Sequence, residues 1–325
     1  MVTKNTIPSQ SRYFERFLIK TIPLFIFLLL FSCTDDEDAI VVNQSVDVLI
    51  DNKQFQLINN DFLIVENCND LFIDFIYDKP ENHFMMSFIL SKKGELKHIS
   101  LLDFRRSSSF YRTPDFNPLR LMAITNFKYD DIKKSIFFDF NGELIKTING
   151  IQDMDTPKEK LKIKGTVNTN NIKTEECSIF IPDLTFEIPE LKFVTTKINA
   201  SFNPNISTNS YIFRYYSNNG YRILIKSKND LWNLDKGVYP FNENSAENRI
   251  DLEQYIGIIR ASDSGTYSRD IDWKKYQTAG SYTILEHVII NGQKVTKGEM
   301  NLKVYDNGVL IHTITKGKFE VTGFN

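Results

Sequence analysis

Apolar and polar residues alternate with a period of two along most of the chain after residue 45. Val46, Val48 and Ile50 form the first apolar set, and Asp47 and Asp51 accompany them. Successive side chains of an extended chain lie on opposite faces, so this period predicts β-strands with one buried face. The Asn and Asp clusters between the runs are typical of turns. Further strands are predicted at residues 55–57, 62–64, 71–77, 84–90, 136–140, 143–148, 161–167, 197–202, 211–216, 221–225, 236–241 and 280–284.

An Asn-Gly pair separates two of these predicted strands, residues 136–140 and 143–148. Both central residues of a type I′ turn need a positive φ, which Asn and Gly accept more readily than other residues. Asn141 and Gly142 therefore predict a β-hairpin.

Similar segments recur near the C-terminus. Residues 307–314 match residues 141–148 at six of eight positions, and residues 318–323 parallel residues 160–165. Two parallel pairs in the same order favour a duplicated domain. Coincidence between two common hairpins is the alternative, and the sequence leaves it open.

The length of 325 residues exceeds what one sandwich core usually uses, so two domains are predicted. Pro182 and Pro189 interrupt an apolar stretch that is typical of an edge strand leading out of the first domain. The fold prediction is all-β, with two tandem antiparallel β-sandwich domains at residues 46–190 and 191–325.

The composition agrees with strands and argues against one class of partner. Aromatic residues make up 13% of the chain, with 26 Phe and 14 Tyr, and such residues favour strands. The formal net charge is -2, and no basic stripe is interleaved with aromatic residues. Nucleic acid is therefore not an expected partner, and no cofactor is expected.

The first 33 residues have the layout of an export signal. Four basic residues precede an apolar run at residues 22–31 that is too short to span a bilayer. The run ends at Leu30-Phe31-Ser32-Cys33, which resembles a bacterial lipobox, although Phe31 is bulkier than usual. The resemblance implies cleavage before Cys33 and lipidation of its thiol and new amino group, which together anchor a protein to the outer membrane. A secretory signal that merely contains a cysteine is the alternative.

An acidic run follows the cysteine directly, at Asp35, Asp36, Glu37 and Asp38. It resembles the export signal of Bacteroidetes-type surface lipoproteins, which implies a position on the cell exterior. A solvated tether explains the same charges, because adjacent carboxylates repel one another, and both interpretations can hold together. The periplasmic face of the outer membrane stays open as the other location.

Turn glycines and core aromatics in the last third of the chain carry a second resemblance. Gly280, Gly298 and Gly317 each stand beside aromatic or apolar strand residues. This pattern, over residues 195–325, is similar to small β-sandwich domains of unknown function in Bacteroidetes-type lipoproteins. The resemblance implies a fold and no catalytic residues.

Two cysteines remain after Cys33, namely Cys68 and Cys177. Export would place them where disulfides persist, so a bond between them is one interpretation. Two free buried thiols are the other. A metal site is not expected, since none of the four His residues stands at ligand spacing from a cysteine.

Three aromatic residues, Trp232, Trp273 and Tyr276, are candidates for a platform on which a sugar ring stacks. For Trp232, packing in the core or at a strand edge is the commoner role, and for Trp273 and Tyr276 a solvated polar loop is the alternative. Asp270 and Asp272 have oxygen ligands suited to Ca²⁺, but their spacing matches no EF-hand loop, and a solvated polar loop is the favoured interpretation.

The sequence contains no nucleophile elbow, no His-Glu-x-x-His helix and no phosphate-binding glycine loop. We therefore hypothesise a lipid-anchored, non-catalytic binding or structural protein with a glycan or protein ligand. A surface hydrolase acting on polysaccharide or peptide is the first alternative, because paired carboxylates can lie far apart in sequence. An envelope assembly subunit is the second.

Overall fold

The structure is a computed structural model of the chain. The structure describes residues 45–58, 61–80, 82–104, 109–113, 122–147, 159–203, 210–245, 248–257 and 270–324. The predicted lipidation site Cys33 and the predicted export signal, Asp35, Asp36, Glu37 and Asp38, lie outside these residues. The described part is all-β, as predicted, and consists of two large sheets.

Eleven strands form the first sheet. They are β1 Ser45–Ile50, β2 Lys53–Ile58, β3 Phe62–Asn67, β4 Asp70–Lys79, β5 Asn82–Ser91, β6 Leu96–Asp103, β7 Ser109–Arg112, β8 Met122–Asp130, β9 Ser135–Lys146, β10 Lys160–Thr169 and β11 Ile172–Glu175. Their order is β11-β3-β4-β5-β6-β7-β9-β10-β1-β2, and β8 pairs with β9. β11 runs parallel to β3, whereas the other neighbours are antiparallel.

Ten strands form the second sheet, in the order β16-β19-β20-β21-β12-β13-β14-β15-β17-β18. They are β12 Leu184–Ile188, β13 Leu191–Asn203, β14 Ser210–Ser217, β15 Tyr221–Ser227, β16 Gly237–Phe241, β17 Arg249–Tyr255, β18 Trp273–Lys275, β19 Gln277–Ile290, β20 Gln293–Asp306 and β21 Val309–Thr322. The chain passes from the first sheet to the second between Glu175 and Leu184.

The first sheet folds over itself around one core. Val46 on β1 and Ile64 on β3 stand far apart in the strand order, yet both belong to one cluster of buried residues. The ring of Phe88 lies 4.9 Å from that of Phe140 and 5.9 Å from that of Phe138, in edge-to-face contacts. Each buried Phe contributes about 1.5–3 kcal/mol. The result is the first sandwich.

The second sheet encloses its own core of buried side chains, which includes Phe213, Tyr282 and Phe319. Tyr215 is fully buried, and its hydroxyl donates to the backbone oxygen of Glu320 at 2.5 Å. A buried Tyr needs such a partner for its polar end. This arrangement is the second sandwich.

The Asn-Gly hairpin predicted in the first domain is wrong. Asn141 and Gly142 lie inside β9, opposite Lys164 and Ile163 of β10. β9 has β10 on one edge and β7 and β8 on the other, so pairing on both edges outweighs the local turn preference.

The C-terminal Asn-Gly pair does form a turn. Asn307 and Gly308 have φ values of 49° and 81° and join β20 to β21. The same dipeptide therefore lies inside a strand in β9 and in the turn before β21.

This difference contradicts the evidence for a duplicated domain. Residues 141–146 and 160–165 lie on two neighbouring strands, β9 and β10. Residues 309–314 and 318–322 both lie on the single strand β21. The matching segments therefore do not occupy equivalent positions.

The strand expected to lead out of the first domain belongs to the second sheet. β12 pairs with β13 on one edge and with β21 on the other. The prediction of an edge strand is wrong here, because β21 pairs with the edge of β12 that the prolines suggested would be free.

Candidate functional site

A groove lies where the two sandwiches meet, and we call it the junction groove. The outward face of the first sheet, β13 of the second sheet and the segment that connects the sandwiches line it. Its main lining residues are Phe72, Ile89, His98, Ile181, Thr196 and Ile198. Its volume of about 370 Å³ lies within the range of small-molecule and peptide sites.

The wall on the first sandwich is an apolar row across three strands. The register aligns Phe72 of β4 with Ile89 of β5, and Ile89 with His98 of β6. Four residues further along the strands, Ile76 and Met85 form a second apolar row and are 50% and 39% exposed. The inward positions of β4 and β5 fill the core, so these strands are apolar on both faces. Asp74 and Ser87 lie between the two rows, so they are separate apolar patches, and only the row with Phe72 and Ile89 lines the groove.

An ion pair lies at one end of the groove. The Lys97 ammonium is 2.7 Å from Oδ1 and 2.9 Å from Oδ2 of Asp70, and both side chains are largely buried. The same pair lines an adjoining cavity of about 250 Å³, together with Asp183. Burial raises the pKa of Asp183, while the Lys97 charge and the Leu184 N–H, 2.8 Å from Oδ1, act against that rise.

His98 is uncharged at neutral pH. Burial lowers its pKa to about 3, and the positive charge of Arg112 acts in the same direction. Its Nδ1 lies 3.5 Å from the Arg112 guanidinium, which can only donate, so Nδ1 is the acceptor. The groove therefore has a neutral imidazole in its wall.

The wall on the second sandwich is a strand that changes partners. β13 pairs with β12 as far as Val194, and from Thr195 onward it pairs with β14 on its other edge. The pairing shifts between Thr195 and Lys197, which is a β-bulge. The hydroxyl of Thr196, in the bulge, donates to the backbone oxygen of Tyr216 at 3.1 Å. The bulge bends β13 into the groove wall.

The two cysteines that follow Cys33 form a disulfide, with a Cα–Cα distance of 4.8 Å. β11 runs parallel to β3 and so brings Cys177 to Cys68 in the β3–β4 turn. The other side of the connecting segment binds the second sandwich. Asn291 Nδ2 donates to the Cys177 oxygen at 2.6 Å, and the Phe180 N–H donates to Gln293 Oε1 at 2.8 Å. The disulfide thus fixes one border of the groove.

A separate cavity of about 360 Å³ lies elsewhere on the junction. Its lining residues bind one another across the junction. Lys192 forms an ion pair with Glu95 at 2.9 Å, and Asn218 Nδ2 donates to the Leu96 oxygen. These contacts hold the sandwiches together, so we assign this cavity a structural role.

The aromatic residues weighed as a sugar platform do not form one. Trp273 and Tyr276 are each 6% exposed, so neither ring can stack on a ligand. The Trp273 ring packs against the Arg222 guanidinium at 4.1 Å. Trp232 is partly buried and packs edge-on against His287 at 5.2 Å. All three rings serve packing, which was the favoured role for Trp232, whereas the solvated loop expected around Trp273 and Tyr276 is wrong.

The solvated loop expected around Asp272 is also wrong for that residue, since Asp272 is 4% exposed. Asp272 ends a short 3-10 turn, and its backbone oxygen accepts from the N–H of Ile256 at 2.8 Å. Among the side chains that the structure describes, no group of three or more His, Cys, Asp or Glu is placed to hold a metal ion.

Comparison with known proteins gives no match: no protein-family model, no curated protein and no solved structure is similar to the chain. Within the described ranges, no helix has the length and apolar character needed to cross a membrane.

The sequence carries two signals of the groove, but they do not locate it. The run at residues 71–77 carries Phe72 and Ile76 in its second phase, interrupted only by Asp74, which indicates that part of the outer face is covered. Thr195 and Thr196 interrupt the alternation of β13 at the bulge. Neither signal shows which surface faces them, because the facing wall comes from the other sandwich.

Proposed function

We propose that this chain is a lipid-anchored envelope protein whose two sandwiches form a non-catalytic binding module, with the junction groove as its binding site. The observation that carries the proposal is the junction groove itself. It combines an apolar wall, Phe72 and Ile89, with polar groups at its margin, Asp70 and Lys97. A mainly apolar concavity with a few polar groups is the usual form of a binding site.

The contacts of the charged groups favour binding over catalysis. Lys97 donates to Oδ2 of Asp70 and lies within ion-pair distance of Oδ1. Asp183 Oδ1 accepts from the Leu184 N–H. The Nδ1 atom of His98 lies 3.3 Å from the Thr113 hydroxyl. Asp70 and His98 have partners within the first sandwich, and Asp183 has one in the next residue of the chain, so each group has a structural contact that does not require a reacting substrate.

The envelope part of the proposal rests on the sequence around Cys33. Metabolic labelling with an alkyne fatty acid should label the native chain and leave Cys33→Ala unlabelled. Protease added to intact cells should digest the native chain and spare a variant with Ala at Asp35, Asp36, Glu37 and Asp38. Equal labelling of Cys33→Ala, or protection of the native chain in intact cells, would contradict the anchor or the surface location respectively.

The binding part of the proposal is tested by a screen with two panels. The full chain is presented to soluble envelope glycans and to a library of random decapeptides, and bound molecules are recovered and weighed by mass spectrometry. We expect saturable binding and an unchanged mass. Absence of binding from both panels would contradict the proposal.

A surface hydrolase is the second candidate, because Asp70 and Asp183 line one cavity and the pKa of Asp183 is raised. Two carboxyl groups in one cavity, one of them with a raised pKa, are the residue types that glycoside hydrolysis uses. Recovery of cleaved ligand would favour this candidate, provided that Asp183→Asn abolishes cleavage while ligand still binds.

A further inference from the structure

The partner change of β13 leaves part of one strand edge without a neighbouring strand. β12 ends its pairing with β13 at the pair Thr185 and Val194. β14 pairs with residues 195–203 on the opposite edge. Within the described ranges, no strand pairs with residues 198–202 on the edge that β12 has left.

An edge of this kind is a template for another extended chain. In an antiparallel strand, alternate residues direct their N–H and C=O groups towards each edge. Asn199 and Ala200 are exposed, and Phe202 is 41% exposed, so the outer part of this edge faces solvent. Added peptides use such groups for main-chain hydrogen bonds.

The edge begins inside the junction groove. Thr196 and Ile198 line the groove, opposite Phe72 and Ile89 of the first sandwich. A strand added to β13 would lie about 4.8 Å from it. The added strand would enter the groove with one face towards Phe72 and Ile89. Its side chains would point alternately towards this apolar wall and away from it.

The charges around the groove favour an uncharged segment. Asp70 and Lys97 neutralise each other by direct contact. His98 is neutral, because burial and Arg112 lower its pKa. The remaining charged residues of the groove and its adjoining cavity, Lys197 and Asp183, are opposite in sign. A net charge on the bound segment would therefore lose hydration without finding a net opposite charge.

We infer that the junction groove binds an extended polypeptide segment with alternating apolar side chains, which adds as a strand to the edge of β13 at residues 198–202. This inference rests on the proposed function and names the class of ligand. Main-chain pairing would supply affinity, and contact with Phe72 and Ile89 would select apolar side chains at every second position.

The test begins with decapeptides enriched from the random library on the full chain. The tightest one is synthesised with a single N-methyl group at each amide in turn, and the Kd of each form is measured by fluorescence anisotropy. Strand addition predicts that methylation at alternate amides weakens binding about tenfold or more, because each removes one main-chain hydrogen bond. Methylation at the intervening amides should change the Kd little.

A second measurement locates the peptide without altering the protein. A photo-reactive leucine replaces one apolar residue of the peptide, and cross-linked sites are mapped by mass spectrometry. We expect cross-links to residues 196–202 and to the β4–β5 row that contains Phe72 and Ile89.

Three results would overturn strand addition. They are no enrichment of any decapeptide, a Kd that shows no alternation along the methylated series, and cross-links confined to other surfaces. If a glycan binds in the groove while no decapeptide does, strand addition fails and the proposed function stands. If neither panel binds, both fail.

Discussion

Thr195 and Leu184 are joined by two hydrogen bonds through one hydroxyl. Thr195 Oγ1 accepts from the Leu184 N–H at 2.9 Å and donates to the Leu184 oxygen at 2.8 Å. The contact stands at the start of β12, where β12 and β13 separate. A side chain thus takes the place of the next backbone pair and ends the ladder beside the junction groove.

Replacement of Thr195 by Val should destabilise the chain by about 2 kcal/mol, because the C=O of Leu184 loses this donor in a buried site, whereas the Leu184 N–H keeps Asp183 Oδ1 as an acceptor. Urea denaturation measures the difference. Thr195→Ser keeps the hydroxyl and removes one methyl group, which costs about 1 kcal/mol. Equal stability of the two variants would show that the Thr195 hydroxyl does not stabilise the start of β12.

Removal of the disulfide should lower stability by about 4–5 kcal/mol, since it closes a loop of 109 residues. The variant Cys68→Ser/Cys177→Ser is compared with the native chain in urea, with and without reductant. Reductant should destabilise the native chain and leave the double variant unchanged. If reductant does not affect the native chain, the bond contributes nothing to its stability.

Glu66 should make the free energy of unfolding depend on pH in the acid range. Burial by itself raises its pKa, but hydrogen bonds from Lys134, Lys92 and Tyr129 outweigh this effect and lower the pKa to about 2. The folded value lies below the ordinary 4.5. The stabilisation is therefore present above pH 4.5 and is lost as the pH falls from there towards 2.

The corresponding measurement is the free energy of unfolding at pH 7, 4 and 3 for the native chain and for Glu66→Gln. The native chain should lose up to about 2 kcal/mol more than the variant over this interval. Parallel pH profiles would mean that Glu66 has an ordinary pKa in the folded chain.

Gly165 should not accept a side chain. A Cβ atom there would lie 2.1 Å from the Asp47 oxygen and 2.6 Å from the Phe140 ring. Gly165→Ala should therefore cost about 1–3 kcal/mol through displaced neighbours. The exposed neighbour Lys164 supplies the control, because Lys164→Ala should change the free energy of unfolding by about 0.5 kcal/mol or less. A neutral Gly165→Ala would require β1 to lie further from β10 than the structure places it.

The period-two pattern predicted most strands because each half-buried strand has its alternation in its own sequence. β4 shows this, with Ile73 and Phe75 buried and Asp74 between them more exposed. The turn predicted at Asn141-Gly142 does not form, because a dipeptide shows only a local turn preference. The pairing on both edges of β9 depends on the whole sheet. The same limit applies to β12, whose second neighbour, β21, is distant in sequence.

The junction groove was beyond sequence reasoning for a related reason. Phe72 and Ile89 are recognisable as outward apolar residues once the register is known. Their facing wall, at Thr196 and Ile198, comes from the other sandwich, and no local pattern records that approach. The lipidation site and export signal, in contrast, are local motifs, and they stay predictions.

A pair of matched substitutions tests the junction groove most directly as the binding site. The Kd of the tightest glycan or decapeptide is measured for the native chain, Ile89→Glu and Ile76→Glu, and thermal unfolding confirms that each variant is folded. Both residues lie on the outward face of the first sheet, but only Ile89 lines the groove. We predict a loss of about tenfold or more for Ile89→Glu and little change for Ile76→Glu. Equal affinities for the two folded variants would contradict binding in the groove.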